Sequence, residues 1–175
     1  MNGVVPDIVT MGKPLGNGHP VAAVGTTREV ADAFDDGVKY FNTFGGNPVS
    51  CAIGTAVLDI VRDDGLQEHA RVVGDYFLDR LRDLQDIHPL IGDVRGHGLY
   101  LGVELVRDRG TKDPAPREAL LLSERMKDRG VIVYPAGAHQ NVLKLKPPMI
   151  FDTSHVDNFV ETMHEILCGD EMQRG

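Results

Sequence analysis

The stretch 6–24, PDIVTMGKPLGNGHPVAAV, constrains this chain more than any other. Asp7 to Met11 is a short apolar run with β-branched residues, the pattern of a buried strand, and Val21 to Val24 is a second apolar run. Between them lies Gly12-Lys13-Pro14-Leu15-Gly16-Asn17-Gly18, a loop dense in chain breakers with one long cation at its start. Its glycines allow close backbone approach, and Pro14 stiffens the exit from the lysine. A lysine held at the end of a buried strand loses solvent, and desolvation lowers its pKa. The neutral amine is then a nucleophile that forms a Schiff base with an aldehyde. A lone Gly-Lys pair is more often a solvated loop lysine, so the rest of the chain must supply the context.

With 175 residues the chain can build one good core or one and a half domains, and 42% hydrophobic content argues against disorder. A net charge of −8 disfavours nucleic acid, whose phosphates need a basic face. No apolar run reaches the length of a membrane helix and the opening MNGVVPDIV lacks a signal-peptide pattern, so the expected compartment is the cytoplasm. Cys51 and Cys168 are far apart in sequence and form neither a zinc set nor a CxxC pair. Cys51 reads as a small core residue on the apolar side of a helix, Cys168 as a thiol near the tail, and both as reduced. The seven histidines show no HExxH or HxH spacing, so no metal site is expected. There is no GxSxG elbow and no GxxxxGK[ST] loop, and Gly96-His97-Gly98 lacks the third glycine of a dinucleotide fingerprint.

Further along, Val21 to Gly25 reads as a strand, and Thr27 as the N-cap of a short helix from Arg28 to Phe34 with Val30 and Ala33 as core contacts. Tyr40 to Asn47 is an aromatic, glycine-rich turn holding Thr43. Asn47 then caps a helix with Pro48 at its first position. Val49, Ala52, Ile53, Ala56, Val57, Ile60 and Val61 give that helix a broad apolar face, and a longer helix is expected over Leu66–Asp86. Ile91 to Gly98 reads as a glycine-rich turn carrying Arg95. The run Leu99 to Leu105 alternates as a half-buried strand, Arg117–Arg129 is helical, and Val131–Tyr134 and Val142–Lys146 are strands. Ser154 to Asp157 fits a capping box for a last amphipathic helix. The texture changes near Asp86, which divides the chain into an α/β part over residues 1–88 and an α+β part over 89–175.

Two segments carry a resemblance. PDIVTMGKPLGNGHPVAAV resembles the catalytic-lysine segment of the class III aminotransferases, the fold type I enzymes that use pyridoxal 5'-phosphate, and FNTFGGNPVSCA (41–52) resembles the segment that follows it in that family. Together with NVLKLKPPM (141–149), these look most like the branch of ethanolamine-phosphate phospho-lyases and mitochondrial-type alanine–glyoxylate aminotransferases. The resemblance runs from Pro6 to the helix near Leu167. It implies an α/β fold: the end of the large mixed-sheet, cofactor-binding domain over 1–88, then the small α+β C-terminal domain over 89–175. It also implies a homodimer of the full-length form. The expected reaction moves an amino group from an amino donor to an oxo acid. The same proton abstraction can instead expel a group from Cβ, which gives the alternative of a phospho-lyase acting on ethanolamine phosphate or a similar amine.

The resemblance assigns roles residue by residue. Lys13 forms the Schiff base with pyridoxal phosphate and, when freed, acts as general base and then acid. Thr43, with backbone N–H groups near Gly45 and Gly46, binds the cofactor phosphate of the neighbouring subunit. Arg95, in a VRGxG motif, binds the substrate carboxylate. His19, His139 and Lys146 stay outside the set: His19 caps its loop, and Lys146 alternates with Lys144 on a solvated face. The family's aspartate on the pyridine nitrogen, its small-residue phosphate loop and its ring-stacking aromatic have no match here. The chain therefore reads as the C-terminal piece of such an enzyme, and on its own as an inactive fragment.

Overall fold

The computed structural model describes residues 3–37 and 39–173; the side chains of Lys13 and Gln173 lie outside the described part. The chain divides into two compact units, Met1–Gly65 and Leu66–Gly175.

In the first unit, strand β1 (Ile8–Met11) pairs antiparallel with β2 (Ala23–Thr26), Ile8 opposite Thr26 and Met11 opposite Ala23. A single 3-10 turn, Lys13–Gly16, lies in the connection. Helix α1 (Arg28–Asp35) starts where the sequence predicts, with Thr27 Oγ1 accepting from the Val30 amide at 3.4 Å. Helix α2 (Pro48–Asp63) starts at Asn47, whose Oδ1 accepts from the Ser50 amide at 2.9 Å, with Pro48 in the first turn where a missing N–H costs nothing.

The expected burial of this unit is not realised within the chain. Every residue of β1 is exposed, Ile8 at 55%, because a two-stranded ribbon has no layer against either face here. The apolar face of α2 is uncovered too: Val49 is 67% exposed, and Cys51 is exposed rather than a core residue. On α1, Val30 is half-buried and Ala33 exposed.

The second unit has a core of its own. Helix α3 (Leu66–Ile87) leads to a meander of β3 (Ile91–His97) and β4 (Tyr100–Asp108), then to the short β5 (Asp113–Pro114) and α4 (Pro116–Asp128). Strands β6 (Tyr134–Ala136) and β7 (Val142–Leu145), helix α5 (Thr153–Leu167) and the short α6 (Asp170–Gln173) complete it. The sheet runs β3-β4-β7-β6, antiparallel throughout, with β5 on β4. Phe77, Leu81, Ile91, Leu105, Leu122 and Met163 are fully buried between the sheet and α3, α4 and α5. Because α3 brings Val73, Phe77, Leu81 and Leu84 to this core, the second compact unit begins at Leu66.

Four local expectations are corrected. Residues 91–97 form a strand, not a turn: the glycines serve close packing, since a Cβ on Gly96 would lie 2.5 Å from the Tyr100 carbonyl oxygen. Strand β6 begins at Tyr134, where the expected strand ends, so Val131–Val133 stay outside the ladder. The second strand of the first unit is Ala23–Thr26. The cap of α5 is Asp152, two residues before Ser154, because Asp152 holds the extended backbone that a cap needs (φ −117°). Among the described residues no helix is long and apolar enough to cross a membrane.

Two charged groups close elements of this unit. Arg109 donates to the carbonyls of Gln85, His88 (2.9 Å) and Pro89 (3.2 Å), which occupies acceptors left open at the end of α3. Buried Glu118 accepts from Arg107 Nε at 3.1 Å and Nη2 at 3.2 Å; burial, the largest single influence, would raise its pKa, and Arg107, a backbone amide and Arg117 together leave it lowered.

Asp152 supplies a pH test. Its Oδ1 accepts from the Ser154 hydroxyl (2.7 Å), the Ser154 amide (2.9 Å) and the His155 amide (3.1 Å), which lowers its pKa to about 2 from an ordinary 3.8. A depressed carboxyl pKa stabilises the fold above the unfolded value and loses that contribution as pH falls through the folded one. The difference in urea midpoint between the parent and Asp152→Ala should therefore shrink between about pH 4 and pH 2. A difference constant across that window would remove Asp152 as a charged cap.

Candidate functional site

The Lys13 segment is held by its backbone. Gly12 enters extended, Pro14 fills the first turn, and hydrogen bonds from Leu15 to Gly12 (3.0 Å), Asn17 to Pro14 (3.1 Å) and His19 to Gly16 (3.0 Å) wind the loop. Asn17 (φ 45°) and Gly18 (φ 106°) turn the chain back through the left-handed region. The seat is made of two glycines, Gly16 and Gly54, the buried residues of this unit among those described. A Cβ on Gly16 would lie 2.7 Å from Val21 Cγ1 and 3.3 Å from His19 Cβ. Gly54 faces Leu15 and Val21, so the turn lies on α2 where the helix has no side chain. Lys13 is thus the first residue of a fixed turn, although its side chain lies outside the described part.

A second turn is tied to this seat. In residues 40–47, Asn42 Oδ1 accepts from the Phe44 and Gly45 amides at 3.1 and 2.8 Å. The Gly45 amide, expected to face an anion, is therefore committed inside the turn. Asn47 Nδ2 donates to the Phe44 carbonyl (2.9 Å) and to Ser50 Oγ (3.0 Å), and Ser50 Oγ lies 2.8 Å from His19 Nε2. The chain of contacts from His19 through Ser50 and Asn47 to Phe44 connects the loop after Lys13 with the turn that carries Thr43. Thr43 itself is exposed, and its hydroxyl has no hydrogen-bond partner among the described residues. The sequence places His19 outside the site as a cap of its loop and gives Ser50 no role. The helical offset of Ser50 from Asn47 gives the cap, but nothing local indicates that His19 reaches it.

Arg95 belongs to the other unit. It sits on β3, half-exposed, with Nη1 at 2.5 Å from Asp93 Oδ2 and 2.6 Å from Glu104 Oε2. These bonds, Asp93 first and Glu104 second, raise its pKa further. Asp93 is on the same strand face two residues earlier, and Glu104 is its cross-strand partner on β4. Arg95 also lines an open groove of about 490 Å³ with Tyr100, Val142 and Lys144. Lys146 reaches the face of Tyr100 at 4.6 Å. The geometry keeps Lys13 and Thr43 within one unit and supports Arg95 on a separate rigid sheet.

Known proteins give this framework its context. The profile of the family described as Aminotransferase class-III matches residues 1–167. An alanine–glyoxylate aminotransferase 2-like protein of Drosophila melanogaster is 49% identical over 173 residues, covering 98% of this chain and 35% of its own length. Ethanolamine-phosphate phospho-lyase homolog 1 of Caenorhabditis elegans is 46% identical over 168 residues, covering 95% of this chain and 36% of its own length. Among solved structures, a phospholyase from Arthrobacter in complex with phosphoethanolamine superposes with a TM-score of 0.90 at 41% identity, over 95% of this chain and 40% of that one. A PLP-bound amine transaminase from an uncultivated Pseudomonas species gives 0.84 at 30% identity, over 95% and 40%. The chain spans about a third of the length of the curated relatives it matches. A match along nearly the whole chain, with the lysine turn and the FNTFGGNP turn inside it, makes this chain a member of the class III aminotransferase family.

Proposed function

We propose that the chain forms the lysine-bearing and C-terminal part of a pyridoxal-phosphate-dependent aminotransferase that moves an amino group from an amino donor to an oxo acid. The observation that carries this reading is the linkage of the Lys13 turn to the Thr43 turn through His19, Ser50 and Asn47. The residues fit the cofactor: a lysine at the head of a turn seated on α2, and a threonine hydroxyl with no partner among the described residues. When bound, pyridoxal phosphate supplies the electron sink that makes a substrate Cα proton removable. Lys13 would hold the cofactor through Nζ, and its free amine would take the proton from the substrate Cα. Thr43 Oγ1 donates to a phosphate oxygen.

In this reading the phosphate belongs to the neighbouring subunit of a homodimer. Phe41 and Phe44 flank Thr43 at 86% and 82% exposure, the kind of apolar surface that a partner covers. Arg95 faces the substrate carboxylate, and its bonds to Asp93 and Glu104 preset the guanidinium. The large, cofactor-binding domain ends ahead of α3, and the unit from Leu66 onward is the smaller C-terminal domain.

A second reading has its own support. The Arthrobacter phospholyase carries phosphoethanolamine, a substrate without a carboxylate, and here Arg95 is already neutralised by two carboxylates. In that case Lys13 removes the same proton and a phosphate leaves from Cβ. With the protein that contains this chain, ethanolamine phosphate as sole substrate should release inorganic phosphate if elimination is the reaction. Amino transfer to an oxo acid with no phosphate released selects transamination.

Two further outcomes test the assignments themselves. Borohydride reduction of the cofactor-loaded protein, followed by peptide mapping, should place the pyridoxyl label on Lys13, and Lys13→Ala should abolish both label and turnover. A label on another lysine sinks the assignment. For Thr43→Ala, loss of one hydrogen bond to a charged acceptor, roughly 1.5–3 kcal/mol, should weaken cofactor affinity by about ten- to a hundredfold. An unchanged cofactor Kd rules Thr43 out as a phosphate ligand.

A further inference from the structure

The sequence spacings suggest no metal ligands, yet the fold of the second unit brings three together. His88 follows the last turn of α3 and is buried at 8% exposure. His164 lies in the last turn of α5, and Cys168, four residues on, is the C-cap of that helix. The four-residue offset puts His164 and Cys168 on one face. His88 Nε2 is 2.8 Å from His164 Nδ1, with the two rings edge to face at 5.0 Å between centroids. Cys168 Sγ is 3.8 Å from His164 Nε2 and 4.0 Å from Nδ1. One donor atom from each residue lies within 4.8 Å of the other two.

We propose that His88, His164 and Cys168 form a site for a soft divalent cation of the zinc class. Zinc bonds of about 2.0–2.1 Å to nitrogen and about 2.3 Å to sulfur put tetrahedral ligand atoms roughly 3.3–3.6 Å apart. Taken at Nδ1, the His164 nitrogen that meets His88, the imidazoles are 2.8 Å apart and the thiol is 4.0 Å away, so the imidazoles need to separate, and the thiol to close, by about half an ångström each. Two imidazoles and a thiolate are a donor set that favours zinc over magnesium or calcium. The scaffold is fixed on both sides. The His88 amide donates to the Leu84 carbonyl (2.8 Å), its carbonyl accepts from Arg109, and the Cys168 amide donates to the His164 carbonyl (3.0 Å). Cys168 is exposed, which gives the ion an entry path and leaves a fourth position for water. Binding replaces the thiol proton by the metal and releases one proton to solvent. The bound ion would join the end of α3 to the end of α5, independently of cofactor and substrate.

The test uses the intact, reduced protein and cobalt(II) as a probe. One equivalent should produce a thiolate-to-cobalt charge-transfer band, and zinc should displace it. Cys168→Ser should abolish the band and weaken zinc affinity at least about tenfold, while Cys51→Ser leaves both unchanged. His164→Gln should weaken zinc binding by at least as much, with circular dichroism reporting that the fold persists. No band, a band that follows Cys51, or zinc affinity indifferent to Cys168→Ser overturns the site. None of these readouts requires turnover, so they stand apart from the fate of the aminotransferase reading.

Discussion

Two glycines, Gly16 and Gly54, lie where the turn that begins at Lys13 packs on α2. In the first unit the described buried residues are Gly16, in the Lys13 turn, and Gly54, on α2. A Cβ on Gly16 would crowd Val21 at 2.7 Å and His19 at 3.3 Å within the loop, whereas Gly54 meets Leu15 and Val21 at ordinary contact distances of 3.9 and 4.0 Å. The direction of the Lys13 backbone, the reach of His19 to Ser50 and the tie through Asn47 to the second turn all follow from that seat. In the proposed function the Lys13 amine meets a small reacting centre, and such a role needs its backbone fixed before its pKa matters.

The second unit is stabilised differently. Its antiparallel sheet carries three helices over one core, and the polar groups that enter are paired: Glu118 with Arg107, the Ser123 hydroxyl with the Val133 carbonyl, and Asn141 Nδ2 with the Leu105 carbonyl at 2.8 Å. Such groups would oppose folding if left without partners. Gly74 on α3 packs directly on the β3–β4 turn, where an added Cβ would lie 2.2 Å from the Gly98 carbonyl oxygen. This close approach brings α3 against β3, the strand on which Arg95 stands. Arg95 therefore rests on a sheet with a core behind it, whereas Lys13 and Thr43 rest on elements whose apolar faces remain open within this chain.

That contrast matches the extent of the chain relative to its relatives. The apolar faces of β1 and α2 have the periodicity of core elements, yet Ile8, Val49 and Ile60 meet solvent here. The chain spans about a third of the curated relatives' length, and apolar faces left open in this way are surfaces suited to packing against other structure.

Local chemistry was legible in the sequence wherever it acts over a few residues. Thr27 and Asn47 as caps, Pro48 in the first turn, the extents of α2 and α3 and the buried stripe of α5 all depend on side chains three or four positions apart. The Lys13 turn and the FNTFGGNP turn were legible because glycine, proline and asparagine carry backbone requirements of their own. Whether an apolar face finds a partner was not legible, so β1 read as buried and Cys51 as core. Neither was the role of Gly92 and Gly96, which suggest a turn by composition and serve a strand because neighbouring atoms crowd the Cβ positions. The choice of Asp152 over Ser154 rested on a backbone angle that both residue types can adopt. Arg95's partner Glu104, the approach of His19 to Ser50, and the meeting of His88 with His164 across 76 positions belong to tertiary structure alone. Sequence periodicity states which side chains share a face; only packing decides which faces, and therefore which charges and ligand atoms, come within reach of each other.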